Sequence, residues 1–441
     1  MLKIDTVTVI GANGTMGRNI SAIFASFGAA KVYMVSRAIE KSEAAIETAS
    51  KSVRAGSIAR RMVPKDYSSL AACVLESDLV FEACAERWDV KSSVHSQVAT
   101  ALKGSSSDGP VAICSGTSGL SITNLAAIYP EQYRSRFFGM HFFNPPYQMS
   151  LCELIRSRYT NEALLGDLSA YASEKLLRTT VLVEDSPAFL ANRIGFQFIN
   201  DALRLAVEHK DSGGIDYIDA IFGSFSGRAM APIVTADFVG LDVHKAIVDN
   251  VHANTSDFAN ASFELPTFVQ ELIAEGHFGR KAGGGLYRTK VASDGKKTRE
   301  VWDVAHRAYR KVNHYVFPFA VEMCDLLYEG DYREAFDLLE VNRSSEAQIC
   351  LAGLLKYAIY SYAIADEISD GIISADDVMA TGFNWCPPSA IVDALGGGDR
   401  FAALCKERLS EEWRNAIDLD SIAAEHVPSA YDFRRYVKAR R

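Results

Sequence analysis

The stretch Thr6-Val7-Thr8-Val9-Ile10-Gly11-Ala12-Asn13-Gly14-Thr15-Met16-Gly17 decides the fold of this chain. A β-branched run leads into three glycines at the spacing G-x-x-G-x-x-G, and residues 18–24 continue with helical periodicity. A second apolar run, Lys31 to Val35, follows at the distance expected for a strand–helix–strand unit. Glycines let the backbone approach a pyrophosphate, and a helix N-terminus offers it free N–H groups. The pattern predicts a dinucleotide-binding turn rather than a plain tight turn, with cofactor contacts from Gly11, Asn13, Gly14, Thr15, Met16 and Gly17.

The end of the second predicted strand carries Ser36-Arg37. Proteins that bind NAD usually place Asp or Glu at this point, where the carboxylate accepts hydrogen bonds from the adenosine ribose. A carboxylate would repel a 2'-phosphate, whereas a hydroxyl beside a guanidinium binds one through charge-assisted hydrogen bonds. Ser36 and Arg37 therefore favour NADP(H) slightly over NAD(H) as the cofactor. The alternative is that Arg37 is a solvated strand end.

One imidazole and one carboxylate lie in an otherwise apolar part of the chain. His141 stands in the run Arg136-Phe137-Phe138-Gly139-Met140-His141-Phe142-Phe143-Asn144-Pro145-Pro146, and Glu153 follows twelve residues later. Burying both groups is costly unless they satisfy each other and a ligand. A carboxylate that holds the tautomer of an imidazole makes it an effective general base near neutral pH. The pair is predicted to be a catalytic dyad, and the alternative is a core histidine beside a surface glutamate.

The composition is that of a globular enzyme of several domains, since 441 residues exceed what one core usually holds. The net charge of -9 argues against a nucleic-acid partner. The eight scattered cysteines show no metal-binding spacing, no signal peptide precedes the first strand, and no apolar run is long enough for a bilayer. We therefore expect a cytoplasmic protein with no metal and no membrane partner. A local basic cluster either meets a phosphorylated carrier or is a solvated helix face: Lys51, Arg54, Arg60, Arg61 and Lys65.

Strand-like runs alternate with helical patterns in the first part of the chain, which predicts a doubly wound, mostly parallel α/β sheet of the Rossmann-like class. Further strands are predicted at residues 78–83, 111–114, 137–143, 151–155 and 179–183. After Glu184-Asp185-Ser186-Pro187 the pattern turns helical. The predicted domains are a dinucleotide-binding domain (1–185), a first all-helical domain (186–290) and a second all-helical domain (300–441), with the polar stretch Val291 to Glu300 as a linker.

The second helical domain repeats features of the first in the same order. Residues 355–368 mirror residues 193–207, and residues 374–383 resemble residues 214–223. Both copies then reach proline, at Pro232 and at Pro387-Pro388. We interpret this order as a duplication, with two unrelated amphipathic helices as the alternative. Two such copies can pack as identical subunits would, so we expect a pseudo-dimeric monomer or a homo-oligomer.

Four further motifs accompany the glycine turn and the segment from His141 to Glu153. They are Glu82-Ala83-Cys84-Ala85-Glu86 with Lys91, Thr117-Ser118-Gly119-Leu120-Ser121-Ile122-Thr123, Asp185-Ser186-Pro187-Ala188-Phe189-Leu190-Ala191-Asn192-Arg193, and Gly279-Arg280-Lys281-Ala282-Gly283-Gly284-Gly285. Together they resemble the L-3-hydroxyacyl-CoA dehydrogenase family in its long form, with two C-terminal helical domains and no hydratase domain. The resemblance implies an NAD(P)-dependent oxidoreductase that interconverts (S)-3-hydroxyacyl-CoA and 3-oxoacyl-CoA by hydride transfer, in fatty acid β-oxidation or related acyl-CoA metabolism.

The resemblance also implies a role for each matching residue of the reaction. His141 matches the base that takes the hydroxyl proton while hydride leaves the same carbon, and Glu153 matches the carboxylate that orients the imidazole. Ser118 and Asn192 match the polar groups that bind the reacting oxygen and the thioester region. Because Asn192 opens the first helical domain, the resemblance places the active site in the cleft between domains.

On the cofactor side, Glu86 and Lys91 match positions near the ribose and nicotinamide, and a solvated helix start is the alternative. Some residues depart from the family's pattern. Gly119 stands where a second serine is usual. A tyrosine after Pro146, here Tyr147, resembles the sequence of relatives that act on carnitine or sugar acids or serve as lens proteins. Phe142-Phe143 favours instead the branch of the family that acts on CoA esters. A dehydrogenase of a non-CoA hydroxy acid and a catalytically silent dinucleotide-binding structural protein stay open as alternatives.

Overall fold

The computed structural model describes residues 2–52, 56–103, 109–291 and 294–437. Internal contacts divide the chain into two compact units. The first unit comprises Met1–Phe189 together with Ile368–Asp370, and the second comprises Leu190–Glu367 and Gly371–Arg441. The division of the second unit into helical domains at residues 186–290 and 300–441 stays a prediction.

The first unit contains eight strands: β1 (Thr6–Ile10), β2 (Lys31–Ser36), β3 (Met62–Asp66), β4 (Leu79–Glu82), β5 (Ala112–Ser115), β6 (Phe137–Phe142), β7 (Leu151–Ile155) and β8 (Thr179–Val183). They form one sheet in the order β3-β2-β1-β4-β5-β6-β7-β8. Strands β1 to β6 run parallel, β7 is antiparallel to β6, and β8 is parallel to β7. The mostly parallel sheet is therefore confirmed. The sequence reading missed β3, an edge strand that tolerates Pro64 because an edge leaves backbone groups unpaired.

Helices alternate with these strands: α1 (Thr15–Ser26), α2 (Ile39–Ser52), α3 (Gly56–Ala59), α4 (Leu70–Glu76), α5 (Trp88–Lys103), α6 (Ile122–Ala126), α7 (Glu131–Arg134) and α8 (Glu162–Ala170). Strands of a parallel sheet covered on both faces read as continuous apolar runs, and Val9, Val32 and Phe81 are fully buried accordingly. Ile23 and Phe24 of α1 belong to the same core cluster.

The strand order reverses between β1 and β4, which lie side by side although β2 and β3 come between them in the chain. Ligands of open α/β sheets bind beyond the carboxyl ends of the strands at such a reversal. Strands β1, β4, β5 and β6 end at this edge, at Ile10, Glu82, Ser115 and Phe142. The sheet therefore gathers the predicted cofactor turn, the motif after Glu82, the Thr117–Thr123 motif and His141 at one edge.

The second unit is mainly helical, as predicted. Its helices are α9 (Ala191–Glu208), α10 (Ile215–Ile221), α11 (Pro232–Val239), α12 (Leu241–Asn254), α13 (Thr267–Ala274), α14 (Pro318–Glu329), α15 (Tyr332–Val341), α16 (Ser345–Ile368), α17 (Ile373–Val378), α18 (Pro388–Ala394), α19 (Gly398–Arg408), α20 (Glu411–Arg414) and α21 (Leu419–Glu425).

The predicted linker from Val291 to Glu300 is wrong. Both ends of this stretch belong to an antiparallel sheet of β9 (Tyr287–Val291), β10 (Lys297–Asp303) and β11 (Ala308–Lys311), and residues 292–293 lie outside the described residues. The sheet was missed because it carries little apolar signal: Val301 is the buried residue of β10, while Lys297 and Arg299 are exposed. The second unit is therefore not all-helical.

Matching contacts relate the two halves of the second unit. A Cβ added to Gly195 in α9 would lie 2.2 Å from the ring of Phe383, just beyond α17. A Cβ added to Gly353 in α16 would lie 2.5 Å from the ring of Phe222, just beyond α10. Each long helix thus receives a phenylalanine from the other half, which is the reciprocity of a two-fold interface. The contacts support the predicted duplication.

Two buried aspartates cap matching helices in these halves. Asp219 accepts the backbone N–H of Ile233 at the start of α11 (2.8 Å), and Asp376 accepts that of Ser389 at the start of α18 (3.0 Å). Burial raises the pKa of Asp219 to about 7 and that of Asp376 to about 6. Matching residues 374–383 with residues 214–223 makes Asp216 the counterpart of Asp376. The capping contacts show instead that Asp219 is the counterpart of Asp376.

One helix among the described residues, α16, is long and apolar enough to cross a membrane by length and composition. The prediction that no apolar run reaches this length is therefore wrong. The most apolar window of α16 is 72% buried inside the protein, and Leu354, Leu355 and Tyr360 are fully buried. Packing within the second unit accounts for the apolar residues of this helix.

Candidate active site

The glycine turn after β1 packs too closely to admit side chains. Gly11 has a φ of +81°, and a Cβ there would lie 2.8 Å from the carbonyl carbon of Ala83, just after β4. A Cβ on Gly17 would lie 2.4 Å from the carbonyl oxygen of Gly11, so α1 touches the turn at backbone distance. Gly14 is the N-cap of α1 and has no side chain to cap the first-turn N–H groups. These N–H groups and the close backbone fit the pyrophosphate of a dinucleotide.

The other predicted contact residues of the turn lie near the surface. Asn13 and Thr15 are exposed, and Met16 is half-buried. Their backbone surrounds the N-terminus of α1, where an anionic ligand is favoured by the helix dipole. The turn therefore presents both backbone N–H groups and small side chains to a ligand.

Ser36 and Arg37 differ in their surroundings. Ser36 is buried, and its hydroxyl oxygen accepts a hydrogen bond from Ser42 Oγ at 2.8 Å. Arg37 is exposed. Of the two residues predicted to bind a 2'-phosphate, only Arg37 presents its side chain to solvent.

Strand pairing brings the predicted dyad together. His141 in β6 and Glu153 in β7 are direct partners in the antiparallel register of these strands. Such partners point to the same face of a sheet within side-chain reach. Nδ1 of His141 lies 2.7 Å from Oε2 of Glu153, the histidine side chain is 6% exposed, and the glutamate side chain is fully buried. The alternative of a surface glutamate beside a core histidine is therefore wrong.

Two aromatic rings lie beside the His141 imidazole. The ring centroids of Phe143 and Phe189 are 4.5 and 5.7 Å from that of His141. Ala188 and Phe189 are both buried and have φ values of 64° and 55°, in the left-handed region that non-glycine residues rarely adopt. Such strain persists where the surrounding structure enforces it, and here it places Phe189 against the imidazole. Because Nδ1 is bound to Glu153, Nε2 is the ring nitrogen left to exchange a proton.

Ser118 is held by its backbone. The Ser118 N–H donates to Oε1 of Glu86 at 2.8 Å, and the hydroxyl of Thr117 donates to the same oxygen. Thr117 Oγ1 in turn accepts the N–H of Leu120 at 3.0 Å. The segment after β5 is therefore tied to the segment after β4. The resemblance assigned Glu86 to the cofactor and Ser118 to the substrate, and the structure brings the two into direct contact.

The far end of the same motif is tied to the segment that leads to Phe189. The carboxylate of Asp185 accepts three hydrogen bonds of 2.8 Å, from the Ser121 hydroxyl and from the backbone N–H groups of Ile122 and Thr123. Since both ends of the Thr117–Thr123 motif are anchored by carboxylates, Ser118 sits on a fixed backbone.

Lys91 is a buried cation. Its Nζ lies 3.0 Å from both carboxylate oxygens of Glu82 and 3.4 Å from Oε2 of Glu86. Lys91 is fully buried, so the alternative of a solvated helix start is wrong for it, whereas the Glu86 side chain is 43% exposed. The contact of Glu86 and Lys91 with the cofactor stays a prediction.

Glu82 opens the Glu82-Ala83-Cys84-Ala85-Glu86 motif, but the sequence assigned it no role in this site. It is fully buried at the end of β4, accepts the Ser115 hydroxyl at 2.7 Å and lies 3.5 Å from Nε2 of His95. Burial alone would raise its pKa, but His95 and the charge of Lys91 outweigh burial and lower the pKa to about 2. A charged residue that ends the apolar run Leu79-Val80-Phe81 is the signal that could have found it, because a buried charge needs a partner.

Asn192 lies in the second unit as the second residue of α9 and is 6% exposed. The neighbouring Arg193 is buried and forms an ion pair with Asp257 at 3.0 Å, which anchors the start of the helix. The contact of Asn192 with substrate and the location of the site between domains stay predictions.

The predicted basic cluster is partly engaged within the protein. Lys51 pairs with Glu47, and Nη1 of Arg61 donates to the carbonyl of Ala25 at 2.9 Å. Arg54 lies outside the described residues. Across the described residues, no group of three or more His, Cys, Asp or Glu is arranged to hold a metal ion.

Family models match both units. The 3-hydroxyacyl-CoA dehydrogenase NAD binding domain matches residues 6–186, and the 3-hydroxyacyl-CoA dehydrogenase C-terminal domain matches residues 189–289. The mitochondrial hydroxyacyl-coenzyme A dehydrogenase of Sus scrofa is 33% identical, over 66% of this chain and 92% of the relative.

Solved structures agree with these matches. The crystal structure of (S)-3-hydroxybutyryl-CoA dehydrogenase from Ralstonia eutropha is 29% identical and covers 64% of this chain and 98% of its own, with a TM-score of 0.56. The crystal structure of 3-hydroxybutyryl-CoA dehydrogenase from Escherichia coli K12 covers 96% of this chain and 99% of its own, with a TM-score of 0.69. At 22% identity this second likeness shows the fold. From the matched domains and the relatives it follows that the chain belongs to the 3-hydroxyacyl-CoA dehydrogenase family.

Proposed function

We propose that this chain is an oxidoreductase that interconverts (S)-3-hydroxyacyl-CoA and 3-oxoacyl-CoA with a nicotinamide dinucleotide. The observation that carries the proposal is the buried His141–Glu153 pair, with 2.7 Å between Nδ1 and Oε2, on the sheet whose β1 leads into the glycine turn. The names of two relatives support the substrate class, since they are a hydroxyacyl-coenzyme A dehydrogenase and an (S)-3-hydroxybutyryl-CoA dehydrogenase.

His141 acts as the general base of the oxidation. Glu153 accepts the Nδ1–H, so Nε2 carries the lone pair that takes the proton of the substrate hydroxyl. The imidazolium formed in this step is stabilised by the adjacent carboxylate, and in the reverse direction it returns the proton to the carbonyl oxygen. The bound dinucleotide supplies the hydride acceptor or donor. Phe143 and Phe189 give the imidazole an apolar border that keeps water away from it.

Ser118 and Asn192 orient the substrate in this proposal. The Ser118 hydroxyl binds the reacting oxygen, and Asn192 binds the thioester region. The anchoring of Ser118 through Glu86 and Thr117 supports this role, because an oriented donor contributes only if its own position is fixed.

The test follows the absorbance of the reduced nicotinamide during incubation with acetoacetyl-CoA. Parallel reactions in the oxidative direction contain carnitine and a panel of free hydroxy acids. We expect turnover of the CoA thioester alone. Turnover confined to carnitine or a free hydroxy acid would support the second enzyme function, for which Tyr147 is the sequence indication, and dinucleotide binding without any turnover would support the silent protein.

The cofactor proposal is that NADP(H) is accepted as well as or better than NAD(H). It rests on Arg37 and on the absence of a carboxylate at Ser36-Arg37, where β2 ends. Ser36 is engaged with Ser42, so Arg37 alone carries the contact. The ratio of kcat/KM for NADPH and NADH tests it: Arg37→Ala lowers the NADPH value and spares the NADH value, while Arg343→Ala, at another exposed arginine, changes neither. A strong preference of the unmodified enzyme for NADH contradicts the proposal.

We further infer that the protein works in the cytoplasm and is a monomer with pseudo-two-fold symmetry in its second unit. The scattered spacing of the eight cysteines, without a CxxC pair or a Cys/His metal spacing, supports a reducing compartment. The reciprocal contacts of Gly195 with Phe383 and of Gly353 with Phe222 support the symmetry. Fractionation of cells and sedimentation equilibrium test these two inferences: recovery in another compartment contradicts the first, and a stable dimer contradicts the second.

A further inference from the structure

A cavity of about 400 Å³ in the second unit lies beside α11, β9 and β10 and is lined by three arginines, Arg280, Arg288 and Arg299. The whole chain carries 55 acidic and 46 basic residues, with a net charge of -9. Three guanidiniums at one cavity therefore form a local cluster of positive charge in a protein that is negatively charged overall. The volume is in the range of small-molecule sites.

Each of these guanidiniums lies over an aromatic ring. Stacking on a ring holds a guanidinium by its face and leaves the N–H donors at its edge for another partner. The three pairs, with the distance from the guanidinium carbon to the ring centroid, are Arg280 with Phe238 at 5.7 Å, Arg288 with Tyr309 at 3.7 Å and Arg299 with Tyr287 at 4.6 Å. The side chains are thus oriented before any ligand arrives.

Carboxylates neutralise only one of the three arginines. Nε of Arg288 donates to Oε2 of Glu300 at 2.7 Å. Within the described part of the chain, neither Arg280 nor Arg299 has a carboxylate at ion-pair distance. Two guanidiniums therefore keep their charge and their donors for a ligand.

Two acidic residues near the cavity are already engaged. Asp237 lines it, and its Oδ1 accepts the backbone N–H groups of Leu286 and Tyr287 at 2.7 and 3.3 Å. Asp219 accepts the Tyr287 hydroxyl at 2.7 Å. Burial raises the pKa of both carboxyls, that of Asp219 to about 7, and the nearby charge of Arg299 opposes this rise.

We propose that this cavity, the arginine site (Arg280, Arg288 and Arg299), binds a phosphate-bearing anion. A phosphate dianion has enough acceptor oxygens for two guanidinium forks at once, which matches the two arginines without a carboxylate. The site has no part in the proposed proton and hydride transfer. A free phosphate ester and the phosphates of a CoA molecule share this chemistry, and the experiment separates the two sources.

The test titrates inorganic pyrophosphate into the full-length chain by calorimetry, without dinucleotide. The glycine turn and the arginine site each contribute one binding equivalent in the unmodified protein. We expect the double variant Arg280→Gln/Arg299→Gln to lose one equivalent, or at least tenfold in affinity for it. Arg343→Gln, which removes an exposed arginine elsewhere in the same unit, retains both. Equal binding by the unmodified protein and the double variant, with matching thermal unfolding curves, overturns the proposal.

The source of the phosphate is read from kinetics of the same double variant. If the site holds the phosphates of CoA, the KM for acetoacetyl-CoA rises several-fold, whereas the KM for acetoacetyl-pantetheine, which lacks those phosphates, stays the same. If the site holds a free phosphate ester, both KM values stay the same while pyrophosphate binding is lost. The binding readout does not depend on turnover, so failure of the proposed reaction and failure of the arginine site are distinguishable.

Discussion

The carboxylate of Glu86 accepts the backbone N–H of Ser118 at 2.8 Å. This hydrogen bond joins the segments that follow two neighbouring parallel strands, β4 and β5. The second oxygen of Glu86 lies 3.4 Å from the buried ammonium of Lys91. A surface carboxylate thus links the buried ion pair beneath the sheet edge to the residue proposed to bind the reacting oxygen, which makes Glu86 a positioning residue.

Glu86→Ala is expected to lower kcat/KM for acetoacetyl-CoA about tenfold. A hydrogen bond to a charged group contributes about 1.5–3 kcal/mol, and about 1.4 kcal/mol of transition-state stabilisation corresponds to a factor of ten. Glu86→Gln keeps an acceptor oxygen for the Ser118 N–H and is expected to lose less. Steady-state kinetics and dinucleotide binding are measured for all three proteins. A loss seen only in dinucleotide affinity would assign Glu86 to the cofactor and contradict the positioning role.

Gly17→Ala is expected to abolish dinucleotide binding or folding of the turn, whereas Gly14→Ala is tolerated better. A Cβ on Gly17 would collide with the carbonyl oxygen of Gly11 at 2.4 Å, but the nearest atom to a Cβ on Gly14 is the same oxygen at 3.4 Å, an ordinary contact. Fluorescence titration with NADH and thermal unfolding compare the two variants. Equal dinucleotide affinities would show that the close approach at Gly17 does not shape the site.

Glu82→Gln is expected to destabilise the first unit by about 3–5 kcal/mol, because it removes the buried countercharge of Lys91 and leaves the half-exposed Glu86, 3.4 Å away, as its partner. The matched double variant Glu82→Gln/Lys91→Met removes both charges and is expected to recover most of the loss. Urea unfolding measures both. A single variant as stable as the unmodified protein would contradict a charged Glu82–Lys91 pair.

The same pair predicts a pH dependence. The pKa of Glu82 is lowered to about 2 from an ordinary value of 4.5. As the pH falls, the carboxylate is therefore protonated at a higher pH in the unfolded chain than in the folded protein. The stabilisation is fully present above about pH 4.5 and is lost as the pH falls towards 2. Unfolding free energies measured over this interval are expected to fall less steeply in the double variant. Parallel curves for the two proteins would contradict the lowered pKa.

Asp219 predicts the opposite dependence in the second unit. Burial raises its pKa to about 7 from 3.8, so the folded protein holds a proton that the unfolded chain has released. Stability is expected to fall as the pH rises from about 4 to 7, and Asp219→Asn is expected to remove this fall. Urea unfolding of both proteins at several pH values checks it. If stability of the unmodified protein relative to the variant rose over this interval, the carboxyl would be ionised in the folded state.

The sequence was sufficient to predict the strands that carry the dyad, because β6 and β7 are strongly apolar and interrupted only by His141 and Glu153. Their relation across an antiparallel pair was not predictable. The reversal of direction between β6 and β7 depends on the intervening segment, residues 143–150, which has no hairpin signature. The apolar surroundings of the two polar residues and the family resemblance thus identified the pair, and register in the sheet explains its contact.

Two kinds of feature escaped prediction for physical reasons. The strands β9 to β11 expose most of their polar side chains, so they lack the apolar alternation by which a strand is recognised. Glu82 ends an apolar strand, which indicates a buried charge, but its partner Lys91 lies nine residues away and looks like an ordinary surface charge in the sequence. Only three-dimensional packing reveals that compensation.

The central claim is that His141 removes the substrate proton, and the rate of the His141→Ala variant tests it most directly. A positioned general base accelerates a reaction by about 10²–10⁴-fold, so kcat of His141→Ala with 3-hydroxybutyryl-CoA is expected to fall by that factor. The affinity of this variant for the dinucleotide is expected to stay within about threefold of that of the unmodified protein. Glu153→Gln, which keeps a hydrogen-bonding partner for Nδ1 but removes the charge, is expected to lie between the two. A His141→Ala enzyme that turns over at the unmodified rate would contradict the account.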